Sequence, residues 1–97
     1  MYARVARFEG GEADAIRETA RETNSRAQSG PPEGVPAKGF IMLVDPDNGR
    51  GLGISLFETE DDLRRGDEAL NAMSPPSEGM GRRTSLETYE VAVDVRV

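Results

Sequence analysis

The chain has 97 residues and contains no His, no Cys and no Trp. The usual proton-transfer group near neutral pH and the commonest metal ligand are therefore missing. So are thiolate ligands and disulfides. Chemistry must rest on carboxylates, guanidiniums, amides and phenols, or on what a ligand brings with it. Two local patterns suggest something more specific. Gly79 and Gly81, followed by Arg82 and Arg83, could offer backbone N–H groups and positive charge to an anion. Paired arginines on a loop are also an ordinary solvated feature. Arg50-Gly51-Leu52-Gly53-Ile54-Ser55-Leu56-Phe57 has the outline of an RNA-recognition strand. The match fails where the chemistry lies, because Leu52 and Ile54 stand where base-stacking aromatics belong.

That second stretch is also where the elements are easiest to read. Residues 39–45 and 51–57 are apolar runs joined by Asp45-Pro46-Asp47-Asn48-Gly49-Arg50. Pro46 presets a turn, and Asn48 and Gly49 tolerate φ > 0, so the two runs form an antiparallel hairpin. Before it, residues 2–8 alternate as a strand, and Gly10-Gly11 ends it. Residues 12–27 carry Ile16, Ala20, Thr23 and Ala27 on a narrow helical stripe, closed by Ser29-Gly30-Pro31-Pro32. Residues 28–38 form a long connection, either a plain crossover or the rim of a site. After the hairpin, Thr59 caps a helix over 60–73 with Asp62 beyond it, and Leu63, Gly66, Leu70 and Met73 face inward. The mid-helix Gly66 costs roughly 1 kcal/mol of propensity, which a close helix–sheet contact would explain. A second long loop covers residues 74–85. Alternation of Tyr89, Val91, Val93, Val95 and Val97 with polar residues marks a last strand over 87–96.

The order β-α-β-β-α-β is a ferredoxin-like α+β pattern in one domain over residues 1–97. Right-handed crossovers give an antiparallel four-stranded sheet of order 4-1-3-2 with two helices on one face. The helices are expected over Ala3, Val5, Leu52, Ile54, Leu56, Val91, Val93 and Val95. The opposite face would carry Tyr2, Arg4, Ala6, Phe8, Gly53, Ser55 and Phe57, with Arg4 meeting Glu90 or Asp94. The strand at 39–44 is apolar on both faces: Phe40, Met42 and Val44 against Ile41 and Leu43. Two helices cover only one face, so a second copy of the chain is the economical cover for the other.

Twelve basic and eighteen acidic residues give a net charge of −6, which argues against nucleic acid or an anionic membrane as partner. No signal pattern and no apolar run of about 18 residues is visible, so a soluble cytoplasmic protein is expected.

Leu56-Phe57-Glu58-Thr59-Glu60-Asp61-Asp62-Leu63 and Thr88-Tyr89-Glu90-Val91, together with the Tyr2-Ala3-Arg4-Val5 start, resemble the dimeric α/β-barrel superfamily. The antibiotic-biosynthesis-monooxygenase-like group is the nearest in pattern. The resemblance implies a homodimer packed through its sheets and a ligand cavity between sheet and helices in each copy. Members oxidise aromatic polyketides with O₂ and no cofactor, or degrade haem. The haem branch needs a ligating His and a Trp, both absent here, so neither a cofactor nor a metal is expected. The enzymatic reading is a cofactor-independent monooxygenase-like activity on a small apolar or aromatic molecule. Tyr89, Asn24 and Arg7 are its candidate polar side chains, and each also has a plain role at a strand or on a helix surface. The alternative is a non-catalytic dimeric module that binds a small ligand or a protein. An apolar pocket with convergent polar groups would favour the enzyme or ligand binder; a solidly packed helix–sheet layer would favour the interaction module.

Overall fold

The computed structural model describes residues 1–73 and 78–97. Its elements are β1 (Tyr2–Gly10), α1 (Ala13–Ala27), β2 (Gly39–Asp45), a 3₁₀ turn at Pro46–Asn48, β3 (Arg50–Phe57), α2 (Glu60–Ala72), a 3₁₀ turn at Glu78–Met80 and β4 (Gly81–Glu90). The strands pair antiparallel in the order β2-β3-β1-β4, which is 4-1-3-2 read from the other edge. The Pro75-Pro76 pair of the second loop lies outside the described residues. Among those described, no helix is long and apolar enough to cross a membrane.

Local chemistry explains the element ends. Thr59 Oγ1 accepts from the Asp62 N–H at 3.0 Å and starts α2, whose first turn holds Glu60, Asp61 and Asp62 against the positive end of the helix. In the hairpin only Gly49 takes a positive φ, 66°, while Asn48 stays in the ordinary region and donates its amide to Asp45 Oδ2 at 2.9 Å. Gly11 N–H donates to Gly49 O at 3.0 Å and ties the β1–α1 turn to that hairpin.

The helices lie on the face opposite to the expected one. In register, Tyr2, Arg4, Ala6 and Phe8 share a side with Gly51, Gly53, Ser55 and Phe57 and with Phe40, Met42 and Val44. This is the covered side: the Phe57 ring packs beneath Gly66 of α2, and Phe40, Met42 and Val44 face α1. Ala3, Val5, Leu52, Ile54 and Leu56 point the other way, where no helix lies. Height explains the reversal. Interiors are close-packed, and a sheet face with Gly51, Gly53 and Ala6 at its centre leaves room for large side chains from above. The Phe40 ring stands over Gly53, and Met80 over Gly51.

Phe57, Leu63 and Val35 form the core, with Tyr2, Ala37, Ala69 and Leu70 around them. Val35 belongs to the connection after α1, which Lys38 N–H fastens to Leu56 O at 2.7 Å. That segment is therefore docked onto the core.

The last strand also differs from expectation. It starts at Gly81 and ends at Glu90, because Tyr2, its partner there, is the first residue of β1. Val91 N–H still reaches Met1 O at 2.8 Å. The alternating tail continues alone, with Val93 79% and Val95 75% exposed. A bulge between Arg7 and Phe8 leaves Thr84 without a partner on β1 and keeps Arg83 beside Phe8 on the helix side.

Candidate functional site

Ala20, Thr23, Asn24 and Ala27 lie at i, i+3, i+4 and i+7 on α1, one helical face. Opposite them stand Phe40, Met42 and Val44, alternate residues of β2. Between the two rows is a cleft of about 200 Å³. The small alanines on the helix leave the space, and the larger β2 side chains make an apolar floor. Thr23 and Asn24 are its polar groups, and no titratable side chain lines it. Gln28 Nε2 donates to the Asn24 backbone carbonyl, whereas among the described residues nothing takes up the Asn24 side-chain amide. Among the described residues no cluster of acidic side chains could hold a metal ion.

Of the three side chains singled out in the sequence, only Asn24 lies at this cleft. Arg7 and Tyr89 are on the helix-free side of the sheet, on neighbouring strands, and meet through Glu87. Arg7 Nε donates to Glu87 Oε1 at 2.8 Å, Tyr89 donates its hydroxyl to Glu87 Oε2, and Ser85 Oγ lies 3.4 Å from Oε1. The Tyr89 hydroxyl, then the Arg7 guanidinium, hold the Glu87 carboxyl below its ordinary range. The same contact pushes the Tyr89 phenol up. The sheet thus separates this trio from Asn24.

A polar cluster forms around the buried Arg4, which sequence reading placed on the other side of the sheet. Arg4 is 6% exposed on the helix side of β1. Its Nε donates to Asp67 Oδ1 at 2.8 Å and its Nη2 to Asn71 Oδ1 at 3.0 Å, so it meets α2 and not Glu90 or Asp94. Arg83 Nη1 donates to the same Asn71 oxygen at 3.0 Å. The last turn of α2 has no basic residue of its own. Arg4 and Arg83 bring cations from the sheet to that negative helix end, which ties α2 down. The i, i+4 spacing of Asp67 and Asn71 was the available signal; reading it required knowing which side of the sheet Arg4 takes. The anion pattern near Gly81 is closed off. A Cβ there would stand 2.2 Å from Glu9 O, so the turn is packed onto β1, and Arg83 is engaged with Asn71.

No protein-family model matches the chain, and no curated protein does. Solved structures do. The haem degrader MhuD of Mycobacterium tuberculosis, with two haems bound in its active site, is similar at a TM-score of 0.66 and 19% identity, covering 99% of this chain and 100% of its own. A mutant of MhuD with two manganese protoporphyrins per active site gives 0.64 and 19% over all of both chains. The chain shares the ferredoxin-like βαββαβ fold of these structures. At this identity the likeness concerns the fold.

Because the similar structures hold haem or a porphyrin, haem can be tested against the residues at the cleft. Haem iron is held by His, Cys thiolate, Tyr, or Met with His. The chain has no His and no Cys. Neither tyrosine lines the α1–β2 cleft, and Met42 would have no His beside it. The volume is also below the roughly 300–1,000 Å³ of pockets for drug-sized ligands. The cleft does not fit haem.

Proposed function

We propose that the protein is monooxygenase-like, works without a cofactor, and takes a small, mainly apolar molecule of about two aromatic rings in the α1–β2 cleft. The supporting observation is the cleft itself: an apolar floor of Phe40, Met42 and Val44, with the Asn24 amide, unpartnered among the described residues, on its rim. The amide donates to a carbonyl or enolate oxygen, and the apolar floor, with Phe40 45% and Val44 39% exposed, offers the ring a surface to cover. No acid or base lines the cleft, so the substrate supplies the reactivity as an enol acidic enough to ionise by itself. With an enolisable ring ketone, the ring methylene and O₂ give a ring carbonyl and water. The same lack of a base favours the second reading, a module that binds such a molecule without converting it.

The test is calorimetric titration with 1-naphthol and with 1,3-indandione, whose ring methylene between two carbonyls ionises near neutral pH without a base, together with O₂ uptake on an electrode. Binding with O₂ uptake, both weakened in Asn24→Ala, supports the enzyme. Binding without uptake supports the module, and no binding of either compound removes the cleft as the site.

Dimerisation belongs to the same proposal. Val5, Ile41, Leu43, Leu52, Ile54 and Leu56 share the helix-free sheet face, with Ile41 40% and Leu43 50% exposed. Monomers rarely leave contiguous apolar patches larger than a few hundred Å². A second copy packed sheet to sheet would bury more than about 1,200 Å² in total and enclose the Arg7–Glu87–Tyr89 trio, a polar device for setting register. The exposed valines of the tail lie ready to extend that contact. Sedimentation at micromolar concentration should show two-chain mass, and Ile54→Glu should abolish it; a heat-stable one-chain species in the wild type would refute the pairing.

A further inference from the structure

The hairpin turn places a reactive pair at the surface. Asn48, exposed at the end of the Pro46–Asn48 turn, is followed by Gly49. The backbone nitrogen of the next residue can attack an asparagine carboxamide, and a glycine, with no side chain, hinders that attack least. Packing requires the glycine here. Gly49 has φ 66°, a conformation that side chains disfavour, and a Cβ on it would stand 2.5 Å from Gly11 O. Asn24 and Asn71 lie inside helices, before Ser25 and Ala72, whose side chains shield the nitrogen.

The folded turn keeps the two reacting groups apart. Asn48 Nδ2 donates to Asp45 Oδ2 at 2.9 Å, and Arg50 Nε donates to the same oxygen at 2.8 Å, which fixes the carboxylate. The Gly49 N–H donates to Pro46 O at 3.1 Å. The carboxamide is thus tethered to Asp45 while the attacking nitrogen is engaged within the turn. Ring closure also needs Asn48 to leave the ψ of a 3₁₀ turn.

We infer that Asn48 is a site of spontaneous deamidation, which the folded turn holds off and opening of the turn releases. In the open turn the Gly49 nitrogen gives its proton to water or hydroxide and bonds to Asn48 Cγ. The Cγ–Nδ2 bond breaks, and the nitrogen takes up a proton and leaves as ammonia. A five-membered cyclic imide remains. Water then opens one of its two carbonyls, giving aspartate or, with the chain rerouted through Cγ, isoaspartate. Either product puts a carboxylate where an amide donated to Asp45, and isoaspartate also lengthens the turn by a backbone carbon. Both changes work against the bond from Gly11 N–H to Gly49 O that ties the β1–α1 turn to the hairpin. The site does not depend on how the α1–β2 cleft is read.

The test incubates the folded protein, the same chain in guanidinium and folded Asp45→Ala at mildly alkaline pH. Trypsin then releases residues 39–50, and mass spectrometry with isoaspartyl methylation follows the conversion. In the unfolded chain Asn48 should convert faster than Asn24 or Asn71. It should also convert about tenfold or more faster than in the folded protein, where the bonds to Asp45 and Pro46 must first break. Asp45→Ala lacks the tether and should convert about fivefold faster than folded wild type. Should Asp45→Ala fail to fold, hydrogen exchange of the Gly49 amide in the wild type carries the comparison. Its protection should match the slowing of deamidation to within roughly threefold, and a larger mismatch counts against the turn. Conversion as fast in the folded protein as in guanidinium, or a folded Asp45→Ala as slow as the wild type, overturns the protection. An unfolded chain in which Asn48 is no more reactive than Asn24 or Asn71 overturns the site itself.

Discussion

Gly66→Ala puts the face assignment to a direct test. In an exposed helix the change gains about 1 kcal/mol, because Ala orders at less entropic cost. Here a Cβ would stand 2.3 Å from Phe57 Cε1 and 2.5 Å from Cζ. Ordinary carbon contacts lie near 3.5–4.0 Å, so the overlap exceeds about 1 Å. Phe57 is fully buried and walled by Val35 and Leu63, which leaves its ring no open side. Overpacking costs about 1–3 kcal/mol, and a ring so enclosed belongs in the upper half of that range. Net of the propensity gain, the variant should lose about 1–2 kcal/mol. In a domain of this size each kcal/mol corresponds to roughly 4–8 °C, so the melting temperature should fall by roughly 5–15 °C. The assay is far-UV circular dichroism melting of wild type, Gly66→Ala, Phe57→Leu and the double variant. The smaller Leu makes room, and the double variant should be more stable than additivity predicts by about 1 kcal/mol. A Gly66→Ala protein that melts above the wild type would refute the contact, and with it the placement of α2 on the Phe57 side.

Arg4→Ala leaves the Asp67 and Asn71 oxygens without their buried donor and should cost about 1–3 kcal/mol in urea unfolding, the lower part of the range because Asp67 is one-third exposed. Arg4→Lys should recover only part of this, since one ammonium cannot reproduce the forked pair of bonds; an unchanged midpoint in Arg4→Ala would show that the cluster contributes nothing. Thr59→Ala removes the acceptor for the Asp62 N–H and should cost about 1 kcal/mol, with Thr59→Ser close to neutral. The Glu87 carboxyl, depressed below its ordinary value near 4.5, contributes stability that is fully present above that value and is lost as pH falls through the lower folded value. Tyr89→Phe removes the largest cause of the depression, so the NMR titration midpoint of Glu87 should rise; an unmoved midpoint would show that the phenol contact does not form.

Local signals carried most of the fold. Residues 39–45 form a strand with the bounds that their apolar run indicates, Thr59 caps α2 as its hydroxyl and the following carboxylates suggest, and Gly66 marks a close contact. These depend on neighbours within one turn or one pleat, and a linear chain displays them. Strand order followed as well, because handed crossovers leave few arrangements.

The candidate site was less legible. Asn24 can be placed on the Ala20–Ala27 stripe from spacing alone, but the floor beneath it belongs to β2, which only the tertiary fold brings there. Arg7 and Tyr89 meet only through the register of β1 against β4.

By itself the sequence determined the elements, their order, and the lack of His and Cys, the one a haem ligand and proton shuttle and the other a thiolate ligand. Tertiary structure alone decided which side of the sheet the helices take. Alternation separates Leu52, Ile54 and Leu56 from Gly51, Gly53 and Ser55, yet either set can face a helix, and close packing of Phe40, Met80 and Phe57 selects the side with room. It likewise decided where β4 stops: its ladder against β1 ends at the Tyr2–Glu90 pair, and Val93 and Val95 beyond it are exposed. Arg4 shows the same physics at one residue, because the side of the sheet, and not its neighbours in sequence, determines which carboxylate it meets.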